Sequence, residues 1–208
     1  LLAKAERPLI LVGGGIHLSA GHDALLEFAE AQNIPVAHTM SGKGGIACSH
    51  LLSAGLFGRY TRIANDLIET SDCLMAVGCK LGEIATKRFQ LMPEDTPLIQ
   101  LEVLPEEIGR TTRVHAGLCG DAGEGLRALG EELYDSAAST KANRADYVAE
   151  IPVRMKKWLD EAAERLHSTE RPINVARIIN ELNNVMPVDS VLVVDGGFSG
   201  HWTGLLYD

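Results

Sequence analysis

The chain has 208 residues, of which 46% are hydrophobic, and a formal net charge of −9 at pH 7. An acidic chain lacks the basic face that nucleic acid requires, and no apolar run approaches the roughly 20 residues that span a bilayer. Nucleic-acid binding and membrane insertion are therefore not expected. The four cysteines contain no C-x-x-C pair, which argues against a structural zinc site and favours reduced thiols in a cytoplasmic protein.

The first predicted element is a buried strand that ends in a glycine turn. Residues 8–12 form a short apolar run, and Gly13, Gly14 and Gly15 follow it. Apolar residues at helical spacing then predict a helix over 23–32. Strand, glycine turn and helix is the arrangement in which backbone amides hold a phosphate. The spacing is not G-x-G-x-x-G, however, and a tight turn without a ligand also selects glycine. Both interpretations stay open at this point.

Further short apolar runs alternate with helical patterns. Strands are predicted at 34–37, 73–77, 98–101 and 113–118, and helices at 62–70 and 122–134, with a short turn after Pro105. This alternation is typical of βαβ units. It predicts an α/β fold with three layers, in which helices cover both faces of a mostly parallel, Rossmann-like sheet. Ligands of such sheets bind at the carboxyl ends of the strands.

The pattern changes after residue 135. Ser136–Thr140 is a small-residue stretch that resembles a linker, and apolar residues at steps of three and four predict an amphipathic helix over 147–166. Pro152 is expected to start or kink that helix. The predicted regions are a first domain at 1–135 and a linker with an amphipathic helix at 136–170.

A second strand–glycine unit is predicted at the C-terminal end. Asn174 is the expected N-cap of a helix, and residues 190–195 are expected to form a buried strand before a Gly196-Gly197 turn. A new α/β domain therefore begins within residues 171–208 and is not completed. We expect the chain to be a fragment of a longer protein.

Five segments resemble thiamine diphosphate (ThDP)-dependent enzymes of the acetolactate synthase, pyruvate oxidase and benzoylformate decarboxylase group. They are R-P-L-I-L-V-G-G-G, I-P-V-A-H-T-M-S-G-K-G, S-D-C-L-M-A-V-G-C-K, I-Q-L-E-V-L-P-E-E-I-G-R and C-G-D-A, in this order. The resemblance identifies residues 1–135 with the family's central domain, of NAD/FAD-binding type. It identifies residues 171–208 with the start of the domain that binds the ThDP diphosphate.

The resemblance also implies an activity for the parent protein. That activity is ThDP- and Mg²⁺-dependent carboligation or decarboxylation of a small-molecule 2-oxo acid, by a transferase or lyase that assembles as a homodimer or homotetramer. The family's activating glutamate and its G-D-G…N metal motif are absent from this chain. The resemblance therefore implies no catalytic residue and no metal ligand here, and an inactive fragment.

Cofactor-binding residues are implied at two places. A flavin or another nucleotide would contact the strand ends of the central domain, at Gly13, Gly14, Gly15, Thr39, Lys80, Glu102 and Asp121. The ThDP diphosphate would approach Gly197, Phe198 and Ser199. FAD-binding members carry glycine-x-arginine-x-aspartate-x-arginine where this chain has Lys80, Gly82 and Ile84, so the side-chain recognition of FAD is weakened. Two alternatives remain, a stand-alone FAD/NAD-binding module and a cofactor-free scaffold or oligomerisation domain.

Overall fold

The computed structural model describes residues 1–187 and 189–208, and a parallel sheet lies at its centre. The six strands are β1 Pro8–Val12, β2 Val36–His38, β3 Ser53–Leu56, β4 Cys73–Val77, β5 Leu98–Glu102 and β6 Ala116–Cys119. They pair in the order β3-β2-β1-β4-β5-β6, and every pair is parallel. This is the doubly wound strand order, whose direction reverses between β1 and β4. The predicted α/β class is confirmed.

In the described residues, eight α-helices surround and extend the sheet. They are α1 Gly15–Leu18, α2 His22–Gln32, α3 Ala64–Thr70, α4 Ala122–Glu132, α5 Tyr134–Asn143, α6 Ala145–Leu166, α7 Val175–Val185 and α8 Phe198–Leu206. Since successive strand residues face opposite sides of a sheet, β1 contributes to two cores. Ile10 packs in the core that contains Phe28 of α2, and Leu11 packs in the core that contains Leu67 of α3. Helices therefore cover both faces of the sheet, as predicted.

The strands differ from the sequence-based expectation chiefly at β3 and β6, while β2 is Val36–His38 rather than 34–37. Strand β3 was not predicted, because Ser-Ala-Gly-Leu lacks an apolar β-branched run and Gly55 has a φ of +77°. Strand β6 begins at Ala116, three residues later than predicted. Its burial alternates because it is an edge strand of the sheet.

The predicted linker region is largely helical. The stretch Ser136–Thr140 lies inside α5, and Pro152 lies inside α6, which runs past it to Leu166. At the junction of these helices, the fully buried Arg144 donates hydrogen bonds to the carbonyl oxygens of Leu2, Ala5 and Gln32 at 2.6–3.1 Å. This one side chain joins the α5–α6 junction to the N-terminal segment and to the end of α2.

The predicted strand at 190–195 is wrong. This segment pairs with none of the described strands, and Val191 and Val193 are 84% and 89% exposed. An apolar β-branched run becomes a strand only where a neighbour supplies the backbone partners, and none of the described strands lies beside this segment. The expected N-cap is confirmed, because Asn174 Oδ1 accepts a hydrogen bond from the Ala176 amide at 3.0 Å. Helices α7 and α8 pack with the end of α6 in a third apolar cluster.

Within the described ranges, none of the helices has both the length and the apolar composition that crossing a membrane requires.

Candidate functional site: a cleft between the strand ends and helix α8

An open cleft of about 790 Å³ lies at the carboxyl ends of the central strands. Its lining includes the glycine turn after β1, Thr39 after β2 and Gly78–Ala85 after β4. The opposite wall is formed by the start of α8, at Gly196, Gly197, Gly200 and His201. The cleft therefore sits at the point where the strand order reverses, which is where α/β sheets bind their ligands.

The triple glycine packs against the neighbouring turn. A Cβ on Gly13 would overlap the Gly78 carbonyl, and a Cβ on Gly15 would lie 2.6 Å from the Gly78 Cα. The Gly13 amide donates to the Val77 carbonyl and the Gly15 amide to the Gly78 carbonyl, both at 3.0 Å. Glycine is thus required for the close contact between the β1 and β4 turns. Two of the three glycine amides that were expected to be available to a phosphate therefore already donate to backbone carbonyls.

Two other predicted residues of the nucleotide set also line the cleft. Thr39 Oγ1 accepts a hydrogen bond from the Gly42 amide at 3.0 Å and caps the short helix Met40–Gly42. Lys80 Nζ lies 3.5 Å from Glu107 Oε1, and its side chain is 55% exposed. Lys80 is therefore a solvent-accessible cation at the cleft, weakly held by a surface ion pair.

Glu102 and Asp121 do not line the cleft. Glu102 is buried, and its Oε1 accepts hydrogen bonds from the amides of Val103 and Leu104 at 3.1 and 3.4 Å. Asp121 Oδ1 caps α4 by accepting from the Gly123 and Glu124 amides at 2.9 and 3.1 Å. The structure therefore brings five of the seven predicted nucleotide-site residues to the cleft, and the carboxylates of the other two accept hydrogen bonds from nearby backbone amides.

Three residues that the sequence analysis missed also line the cleft. The rings of Tyr60 and His201 stack with their centroids 4.4 Å apart, and the Arg59 guanidinium lies 5.8 Å from the Tyr60 ring centroid. His201 Nδ1 is buried without a hydrogen-bond partner among the described residues. Arg59 and Tyr60 follow β3, so their position could not be inferred without that strand. His201 belongs to α8, more than 140 residues further along the chain.

The start of α8 offers backbone groups to an anion. Gly197 has a φ of +71°, and among the described residues no atom beyond its chain neighbours lies within 4 Å of where its Cβ would be and no side chain caps the helix. The first N–H groups of a helix have no internal partner, so they are available to a phosphate. The Ser199 hydroxyl donates within the same turn, to the carbonyls of Asp195 and Gly196 at 3.0 Å, and Phe198 is exposed. The backbone amides at this turn are therefore available to an anion, whereas these two side chains add little.

His38 is a buried titratable group that directly precedes the cleft-lining residue Thr39 in the chain. It ends β2, it is 1% exposed, and its Nδ1 lies 3.0 Å from the Thr39 carbonyl oxygen. Burial, with the nearby charges of Lys43 and Arg62, lowers the pKa of His38 to about 4. The imidazole is therefore neutral at neutral pH.

The comparisons with known proteins agree with this architecture. The chain is 29% identical over 209 residues to a probable acetolactate synthase large subunit of Methanocaldococcus jannaschii, covering 97% of this chain and 34% of the relative. It is 30% identical over 203 residues to a glyoxylate carboligase of Escherichia coli O157:H7, covering 96% and 33%. It is 26% identical over 203 residues to the isozyme 2 large subunit of acetolactate synthase from Escherichia coli K12, covering 97% and 35%.

The chain spans about a third of the length of these curated relatives. Residues 1–129 match the family described as the thiamine pyrophosphate enzyme, central domain. Those residues include the whole parallel sheet and the strand ends that line the cleft. The chain therefore belongs to the thiamine pyrophosphate enzyme family.

Proposed function

We propose that the chain is part of a cytoplasmic ThDP- and Mg²⁺-dependent enzyme that carboligates or decarboxylates 2-oxo acids, as an acetolactate synthase-like transferase or lyase. The observation that carries this proposal is the glycine turn at Gly196-Gly197, which begins α8 and faces the strand ends of the central sheet across the cleft. ThDP, when bound, supplies the carbanion nucleophile and the electron sink of such reactions. The names of the relatives support the same reaction class.

In this proposal the residues of the chain bind and position ThDP, and none of them reacts with the 2-oxo acid. The amides at the start of α8 hold the diphosphate, and the positive φ of Gly197 allows the chain to enter the helix at that angle. No group of three or more His, Cys, Asp or Glu side chains in the described parts of the chain is arranged to hold a metal ion. We propose that Mg²⁺ is held by residues outside this chain, and that the chain alone is inactive.

Arg62 is the side chain that holds α8 against the sheet. Its Nε donates to the Leu205 carbonyl at 2.7 Å, and its two terminal nitrogens pair with the Asp208 carboxylate at 2.6 and 3.1 Å. The guanidinium also lies 5.4 Å from the Trp158 ring of α6. Because its side chain is only 6% exposed, these contacts are less screened than surface pairs. We propose that Arg62 sets the position of the diphosphate-binding turn.

A nucleotide-binding module is the alternative function, and the cleft is the feature that favours it. Arg59 and Lys80 supply two cations to its lining, and Tyr60 supplies an aromatic face. The residues do not fit FAD in the way that the resemblance implies, however. Two glycine amides are engaged, Glu102 and Asp121 face elsewhere, and the implied aspartate and second arginine are replaced by Gly82 and Ile84. We therefore propose that the central domain acts as a cofactor-free scaffold in a homodimeric or homotetrameric enzyme.

The test of the activity uses the complete coding sequence that contains this chain. The purified protein is incubated with pyruvate, 2-oxobutanoate or glyoxylate, with ThDP and Mg²⁺ added or withheld, and CO₂ release is measured. Release that requires ThDP supports the proposal, and no release from any of the three acids contradicts it. Light scattering of the same sample measures the oligomeric state, and a monomer contradicts the proposed assembly.

The test of the cleft uses calorimetry with FAD, ADP and NAD. The scaffold proposal predicts no heat of binding with any of them, and a colourless protein on purification. Saturable binding of one of these nucleotides contradicts the scaffold and supports the binding module. An Arg59→Ala variant then shows whether the nucleotide lies in this cleft.

A further inference from the structure

The loop after β2 brings a lysine and a cysteine into contact. Lys43 Nζ lies 3.4 Å from Cys48 Sγ, and both residues are half-buried. The loop turns sharply enough for this because Gly44 adopts a φ of +86° between them. Lys43 directly follows the short helix Met40–Gly42, and Thr39, Met40 and Ser41 at the start of the same loop line the cleft.

A small enclosed space adjoins the pair. His38, Lys43, Cys48, Ser53, Arg62 and Asp208 are among its lining residues. The Asp208 carboxylate is engaged by Arg62, and in the described parts of the chain no carboxylate lies within 4 Å of Lys43 Nζ. The hydroxyl of Ser53 also faces this space, is buried, and has no partner among the described residues. The space thus holds one buried hydroxyl, that of Ser53, without a partner among the described residues.

The other three cysteines lack this environment. Cys73 and Cys79 are buried, and burial raises their pKa values to about 11 and about 12, so both remain unreactive thiols. Cys119 is exposed, and its Sγ contacts the Val103 carbonyl at 3.8 Å. Cys48 is the cysteine of the described chain that is both accessible and in contact with an amine.

We propose that Lys43 and Cys48 form an oxidative modification site, at which a peroxide converts the pair into a covalent sulfenamide. Hydrogen peroxide transfers one oxygen to Sγ, which gives a sulfenic acid and one water. The Lys43 ammonium then gives one proton to solvent, its nitrogen attacks the sulfur, the N–S bond forms and the S–O bond breaks. Hydroxide leaves and takes a proton from the nitrogen as a second water. Thiol, amine and peroxide thus become sulfenamide and two waters, and the sulfur is oxidised by two electrons.

The N–S bond would be reversible, and it would constrain the loop that lines part of the cleft. Two equivalents of a thiol reductant return the free amine and thiol and become a disulfide themselves. While it exists, the bond closes a ring over residues 43–48, directly after the cleft-lining segment Thr39–Ser41. This inference does not depend on the proposed function, because the two side chains react whether or not the cleft holds a ligand.

The test is peptide mapping of the folded chain after treatment with hydrogen peroxide. Trypsin normally cleaves after Lys43, but a lysine that is bonded to sulfur is not cleaved. The expected product is therefore an uncleaved peptide that spans residues 5–59, lacks two hydrogen atoms, and disappears on treatment with dithiothreitol. A Cys119→Ser background prevents disulfides between chains through the exposed thiol.

Two variants and one condition control this result. Lys43→Arg keeps the charge and the trypsin site but removes the nucleophilic amine, so the joined peptide is lost and Cys48 gains only oxygen. Cys48→Ser also loses the joined peptide. In urea the wild-type chain should lose it as well, because the 3.4 Å contact is absent. If folded wild-type protein gives only added oxygen at Cys48, or if the joined peptide forms equally in urea, the proposal is overturned.

Discussion

Strand β1 and the segment at residues 190–195 are both short apolar runs that end in glycine, and they have opposite environments. All five residues of β1 are buried, with β2 on one side and β4 on the other. In the second segment, Val191 and Val193 are almost fully exposed, and no described strand pairs with them. The comparison shows that an apolar run becomes a strand through its neighbours. The strands of the central domain pair with one another, whereas α7 and α8 at the C-terminal end pack on α6, and Arg62 bonds to α8.

The largest expected difference between the two regions is the cost of removing an apolar side chain. Leu11→Ala should lower the free energy of unfolding by about 3 kcal/mol, because a fully buried leucine leaves a cavity. Val193→Ala is the matched control and should change it by less than about 0.5 kcal/mol, since Val193 is exposed. Urea denaturation measures both values. Similar losses in the two variants would contradict the comparison.

The pH dependence of stability should arise in the sheet region. The folded-state pKa of His38 is about 4 and its ordinary value is 6.5, so the unfolded chain binds the proton first as the pH falls. His38 therefore contributes its full share to the free energy of unfolding above pH 6.5. This contribution, about 3 kcal/mol, is lost as the pH falls from 6.5 to 4. The loss is followed by urea denaturation between pH 7 and pH 5. A His38→Gln variant should lack most of this slope, and an unchanged slope would rule out His38 as its source.

The two glycine turns should respond differently to an added methyl group. Gly13→Ala should destabilise the chain by about 2 kcal/mol, because the new Cβ overlaps the Gly78 backbone. Gly196→Ala should cost much less, since no atom lies within 4 Å of the added carbon. Thermal unfolding of both variants measures the difference. A Gly13→Ala variant as stable as the wild type would remove the packing explanation of the triple glycine.

The smallest expected effect is a local loss of stability in helix α8. Arg62→Gln should destabilise α8 by about 1 kcal/mol, since Asp208 is 43% exposed and its ion pair is partly screened. Hydrogen exchange should become faster at the amides of α8 and remain unchanged in β1 and β4. Faster exchange in the central strands would show that Arg62 supports the whole fold rather than the position of α8.

The sequence predicted the parts of the molecule in which local pattern and tertiary context agree. Strand β4 has the predicted bounds, β5 extends one residue further, and Asn174 caps its helix, because the local apolar runs and the cap chemistry match the environment. Strand β3 was missed, since pairing with β2 rather than composition makes it a strand. Arg59, Tyr60 and His201 were missed for the same reason, because the tertiary fold alone brings these distant segments to one cleft.

The central claim, that the turn before α8 holds the ThDP diphosphate, has a direct test in the complete protein. Calorimetry with ThDP and Mg²⁺ compares the wild type with Gly197→Ala, which strains a backbone at φ +71°, and Gly196→Ala, which adds the same methyl group in open space. The claim predicts that Gly197→Ala weakens ThDP binding by about fivefold or more, for a strain of about 1–3 kcal/mol, and that Gly196→Ala binds like the wild type. Equal, undiminished affinity in the wild type and both variants would contradict it.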